Sequence, residues 1–114
     1  MNHFIPLDQA KKMTKLYRQE KENILADEFK GKDILSFSET FDADSFQAVL
    51  NKPGCTKLRT YFGMSDDLKI HLITVGVNAN GEEMLDGDES ILEDGIQCPP
   101  YCPTPPPPLS LNYE

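Results

Sequence analysis

Two cysteines four positions apart, in CPPYCP at residues 98–103, are the most chemically suggestive pair in this chain. Thiolates at a Cys-x2–4-Cys spacing supply half of a structural zinc site, which takes four ligands in all. The other thiol and imidazole groups, His3, Cys55 and His71, are scattered and form no second pair. A radical-type iron–sulfur cluster would need a third cysteine soon after Cys102, where Thr104 and Pro105 stand. Three readings stay open for Cys98 and Cys102: a metal or redox pair, a disulfide, and two reduced thiols in a segment that docks on a surface. The chain has three cysteines, an odd number, and its first residues, MNHFIPLDQAKK, show no basic stretch followed by an apolar run. Both features suit a reducing compartment. The expectation is therefore two free thiols, no metal and no cofactor.

A second constellation depends on strand pairing. The segments TKLRTYFGM and LKIHLITVGV, separated by SDD, are rich in strand formers. With Met64 opposite Leu68, Phe62 faces Ile70, Thr60 faces Leu72 and Leu58 faces Thr74. Tyr61 then lies opposite His71, with Arg59 two residues away on the same face. A cation, a phenol and an imidazole together could bind an anion or perform acid–base chemistry. The plainer reading of Arg59, Tyr61 and His71 is an ordinary solvated strand face. The same register gathers Leu58, Phe62, Met64, Leu68, Ile70 and Leu72 on one side as the expected core. It leaves Ile73, Val75 and Val77 on the other, so the second strand should be central and covered on both faces.

Other chemistry is not encoded in recognisable form. The acidic stretch at residues 82–94 fails the calcium-loop pattern, because Gly76, Asn78, Asn80 and Gly87 occupy the positions that need carboxylates around Gly81. There is no Gly-x-Ser-x-Gly, no phosphate-binding loop and no dinucleotide fingerprint.

The elements that must position these groups can be read from periodicity and turn residues. Residues 7–26 contain neither Gly nor Pro and place Ala10, Met13, Tyr17 and Ile24 on one side, flanked by Leu16 and Leu25. This predicts an amphipathic helix, opened by Pro6. Residues 34–38, ILSFS, read as a short strand or an extended lead-in. A second helix follows Asp42, a good N-cap, with Phe41 and Phe46 spaced for a hydrophobic staple and Phe46, Val49 and Leu50 facing inward. It stops at Pro53-Gly54. After the hairpin, NANG at residues 78–81 is a turn. Residues 83–85 and 91–93 are candidate short strands. From Cys98 onward proline dominates, so neither helix nor central strand is expected there.

The chain of 114 residues is one domain, placed at 1–97 with a proline-rich tail at 98–114. Its net charge of −8 disfavours nucleic acid and anionic membrane surfaces as partners. No apolar run approaches the roughly 20 residues of a membrane span, so a cytoplasmic protein is expected. Four stretches, LYRQEKENIL, GCTKLRTYFG, VGVNANG and ILEDGIQCPPYC, together span most of the chain. In these the chain resembles a group of small uncharacterised Bacteroidetes proteins. The resemblance implies a bacterial cytoplasmic protein whose CPPYC segment belongs to the domain's design, and it supplies no substrate or catalytic residue.

The sequence thus predicts an α+β fold, two helices packed on a small antiparallel sheet made of the hairpin and one or two short strands. The leading functional expectation is a small acidic interaction module without enzymatic activity, bound to a protein partner or to copies of itself. Its tail would dock through Tyr101, Leu109, Leu111 and Tyr113. The alternatives are a metal- or redox-responsive protein using Cys98 and Cys102, and a small enzyme or ligand binder using Arg59, Tyr61 and His71.

Overall fold

The computed structural model describes residues 3–110, in the order α1 (Leu7–Glu20), β1 (Ser38–Thr40), α2 (Ala43–Leu50), β2 (Lys57–Met64), β3 (Ile70–Val77), β4 (Ile91–Leu92) and β5 (Ile96–Cys98), with short 3-10 turns at Asp27–Phe29 and Pro108–Ser110. The fold is α+β. One sheet has the strand order β2-β3-β4, and β1 pairs with β5 in a second. All pairings are antiparallel.

The hairpin forms where its strand formers predict it, in a different register. Met64 lies opposite Ile70, Phe62 opposite Leu72 and Lys57 opposite Val77. This is two residues from the expected pairing, because the turn occupies residues 65–69. Its ends close when the Ser65 N–H donates to the Lys69 carbonyl at 3.0 Å, and Leu68 takes a left-handed φ of 66° to allow it. A shift of two keeps every side chain on its expected face. It does change the neighbours: Tyr61 now faces Ile73, and His71 faces Gly63.

The core lies elsewhere than expected. Ile34, Val49, Val75, Val77 and Cys98 are its buried apolar residues. Val49 comes from α2, Val75 and Val77 from β3, Cys98 from β5 and Ile34 from the segment before β1. Gly76 allows the closest approach, since a Cβ there would meet Val49 Cγ1 at 3.1 Å and Cys55 Sγ at 3.0 Å. α2 follows Asp42 as predicted, and the Phe41 and Phe46 rings meet edge to face at 5.5 Å. β3 is central, with Thr74, Val75, Gly76 and Val77 buried. By contrast Phe62, assigned to the core from alternation, is 81% exposed, and Leu58 and Met64 are exposed beside it.

The reason is α1. No residue of this helix is buried. It ends at Glu20 instead of residue 26, and Met13, Leu16 and Ile24 remain exposed. Two polar ties join it to the segment before β1. The Tyr17 hydroxyl donates to the Ser36 carbonyl at 2.6 Å, and Lys21 Nζ donates to the Leu35 carbonyl at 2.9 Å. Lys21 is itself buried, its ammonium 4.9 Å from the centre of the Phe37 ring. The helix therefore flanks the hairpin face without covering it.

At the C-terminal end, β5 closes with Cys98 opposite Ser38, so ordered pairing reaches one residue past the expected boundary. Residues 83–85 contribute only a bridge, Glu83 to Val77, whereas residues 91 and 92 form β4.

Candidate functional site

In an antiparallel ladder, alternate residues turn their backbone N–H and C=O groups to opposite sides. In β3 the even-numbered residues face away from β2: the Gly76 carbonyl accepts from Met84 N–H at 2.9 Å, and the Ile70 N–H donates to the Ile34 carbonyl at 2.9 Å. Their partners in β2 have the same parity. Leu58, Thr60, Phe62 and Met64 therefore present their backbone groups outward, and among the described residues no hydrogen bond meets them.

Two apolar grooves adjoin this edge. One, of about 320 Å³, lies between Tyr17, Phe37, Phe62 and Leu72. The other, also about 320 Å³, runs between Ile24, Phe29, Met64 and Leu68. Leu35 and Ile70 line both, so the two lie side by side. The site thus combines an open strand edge with apolar hollows on the face where Phe62 stands.

The other face of β2 carries Arg59 and Tyr61, and the structure brings both onto Glu83. Arg59 Nη1 lies 3.0 Å from Glu83 Oε2, and the Tyr61 hydroxyl donates to the same oxygen. The Tyr61 hydrogen bond first, and then that of Arg59, holds the Glu83 carboxyl below its ordinary range. The same Glu83 contact raises the already high Arg59 value. The cation expected to meet an anionic ligand is thus answered within the chain.

His71 has different neighbours. Its Nδ1 is 3.8 Å from Glu39 Oε1 and 4.0 Å from Glu93 Oε1. Glu39 is the more informative residue, because its side chain is only 3% exposed. Its Oε1 accepts from the Leu72 N–H at 3.0 Å and from Gln97 Nε2 at 2.9 Å, and Gln97 also donates to the Ile70 carbonyl at 2.9 Å. Two side chains and the Ile34 carbonyl thus do the work of a neighbouring strand along β3, beyond the point where β4 ends. Gly95 makes room for this carboxylate: a Cβ there would meet Glu39 Oε2 at 2.8 Å and Phe41 Cζ at 2.7 Å.

No protein-family model, curated protein or solved structure matches this chain.

Cys98 and Cys102 stand at disulfide distance, with Cα atoms 4.6 Å apart, an arrangement that does not decide between the expected free thiols and the other readings. Spacing alone could not choose between these states, because the short loop permits either. Cys98 is buried in β5, and the Tyr101 N–H donates back to the Gln97 carbonyl at 3.0 Å. Tyr101 itself is largely exposed. Further on, the Leu109 carbonyl accepts from Arg18 Nη1 at 2.7 Å, which places the turn at Pro108–Ser110 beside α1. Leu111 and Tyr113 lie outside the described residues. Among the described residues, no three His, Cys, Asp or Glu side chains converge as a metal site.

Sequence reasoning missed Glu39, Glu83 and Gln97. Glu83 sits in an acidic loop that looked uniformly solvated. Glu39 and Gln97 are far apart in the chain, and only the β1–β5 pairing, which sets them opposite each other, gives either a role.

Proposed function

We propose that this chain is a small acidic protein-binding module, without catalytic activity of its own, that receives an extended protein segment along the outer edge of β2. One observation carries the reading: four outward-facing residues of a regular eight-residue strand lack backbone partners among the described residues, beside two adjacent apolar grooves. Main-chain bonds to such an edge supply affinity, and pockets for alternate side chains supply specificity. The net charge of −8 points the binding toward protein and away from nucleic acid and anionic membranes. A cytoplasmic setting fits the same reading.

Selection of a displayed random-peptide library on the immobilised protein tests it. The expected binders carry apolar residues at every second position and lose at least about tenfold in affinity when Phe62→Asp removes the apolar anchor. Binders indifferent to Phe62→Asp would refute the assignment.

The Cys98–Cys102 pair, at disulfide distance, keeps one other reading in play, a redox-responsive protein. Thiol titration at controlled glutathione potential, with elemental analysis, tests that alternative: full oxidation under strongly reducing conditions would rule it out, and stoichiometric zinc or iron would turn it toward metal binding.

A further inference from the structure

We infer that the occupant of the β2 edge is a second copy of this chain, paired antiparallel through β2 itself about a two-fold axis at Tyr61. This rests on the strand-addition reading above and names its partner. Sheet edges are normally protected by shortness, bulges, proline or charge. β2 has eight residues in unbroken register with no proline. Of its two cations, Lys57 stands at the end and Arg59 is engaged by Glu83. Such an edge needs a cover.

β2 is complementary to itself. With Tyr61 opposite its symmetry mate, Phe62 falls opposite Thr60 of the second copy, Leu58 opposite Met64, and Arg59 opposite Gly63. No two like charges meet. The outward positions pair only with one another, so each outward N–H finds an outward carbonyl. A two-fold axis normal to the sheet preserves its faces, so the exposed Leu58, Phe62 and Met64 of both copies join in one apolar stripe.

Charge favours a second copy over an unrelated strand. β2 begins at Lys57 and leads into a turn in which Asp66 and Asp67 are both exposed and outnumber its one cation, Lys69. Self-pairing sets Lys57 opposite Ser65 of the second copy, next to that turn, and the symmetry repeats the match at the other end. The charge of −8 on each copy opposes association. A Debye length of about 8 Å at physiological ionic strength limits that repulsion to charges near the contact, where these opposite charges stand.

Sedimentation equilibrium of the whole chain up to about 500 µM, a range suited to a short interface, should show monomer–dimer exchange. Phe62→Asp alters an exposed side chain, so it should keep the wild-type thermal melt while weakening the dimer at least tenfold. Lys57→Glu should weaken it too, and adding Asp66→Lys and Asp67→Lys should restore it. That recovery reports the pairing itself and not damage to the fold. In a Cys55→Ser background, Tyr61→Cys should cross-link two copies under mild oxidation, since facing non-hydrogen-bonded residues lie about 4.5 Å apart. Arg59→Cys should not. A strict monomer throughout the range overturns the inference while leaving the peptide selection free to succeed. A dimer indifferent to Phe62→Asp, or one that the charge exchange fails to restore, overturns it as well.

Discussion

The hairpin has two long edges, and they are finished in opposite ways. Along β3, outward groups of Ile70, Leu72, Thr74 and Gly76 meet nearby partners: the Ile34 carbonyl, the Gln97 amide, the Glu39 carboxylate, β4, and Met84. Along β2, the outward groups meet none among the described residues. Burial follows the same division. The C-terminal half of β3 is buried, whereas nearly all of β2 is exposed. The contrast teaches that apolar alternation alone does not create a core. A face is buried where neighbouring elements can satisfy the backbone at its edge, and here they gather on the β3 side.

The largest effect should come from asking each side of β2 for the same change. Tyr61→Pro removes an inward N–H from the β2–β3 ladder and should cost about 3 kcal/mol or more. Thr60→Pro removes only an outward N–H. It also loses the 3.0 Å hydroxyl contact with Thr74, so it should cost about 1 kcal/mol. Urea unfolding at low protein concentration measures both. Equal costs would show that the two sides of β2 are not different, and the open edge would disappear with that result.

The closed edge can be opened by Glu39→Ala. This strips the acceptor from the Leu72 N–H and from the Gln97 amide, with an expected loss of about 1–3 kcal/mol. Hydrogen exchange adds a sharper readout: the Leu72 amide should lose protection selectively, while those of Tyr61 and Ile73, inside the hairpin, keep theirs. Unchanged exchange at Leu72 would mean that Glu39 does not stand in for a strand.

Much of this contrast was hidden in the sequence for a physical reason. Local features were legible: α2, with its Phe41–Phe46 contact, and the hairpin faces depend on residues close in the chain, and parity tolerates a shift of two. The turn is two residues longer than its composition suggests because Leu68, an apolar residue without the usual turn chemistry, adopts positive φ. The core moved because α1 anchors through Tyr17 and Lys21, polar contacts that periodicity does not weigh. The closed edge was invisible, since β1 and β5 meet only through long-range pairing and Glu39 looks like any solvated acid. The open edge was legible only in composition, as LRTYFGM written without proline. Of the candidate site, Arg59 and Tyr61 were brought together as the alternation implied, but onto Glu83, with His71 set among other carboxylates.

The smallest effect concerns the polar face of β2, where Glu83 ties down the Arg59 and Tyr61 side chains. Its carboxyl is held below the ordinary range, chiefly by the Tyr61 hydroxyl and then by Arg59. A group whose folded pKa is depressed stabilises the fold above its unfolded value, and that contribution is lost as pH falls through the folded value. The window therefore lies on the acid side of the normal glutamate range, and near neutral pH the tie is fully in place. Because the carboxylate lies near the surface, solvent screens the contact, and resonance titration is a better gauge than stability. Side-chain carboxyl shifts followed by NMR should give Glu83 a midpoint below that of an unperturbed glutamate. Tyr61→Phe should move the midpoint up, and Arg59→Gln should move it by less. If both variants leave it in place, Glu83 does not fasten the polar face of β2, and the contrast between its inner and outer sides would rest chiefly on the backbone.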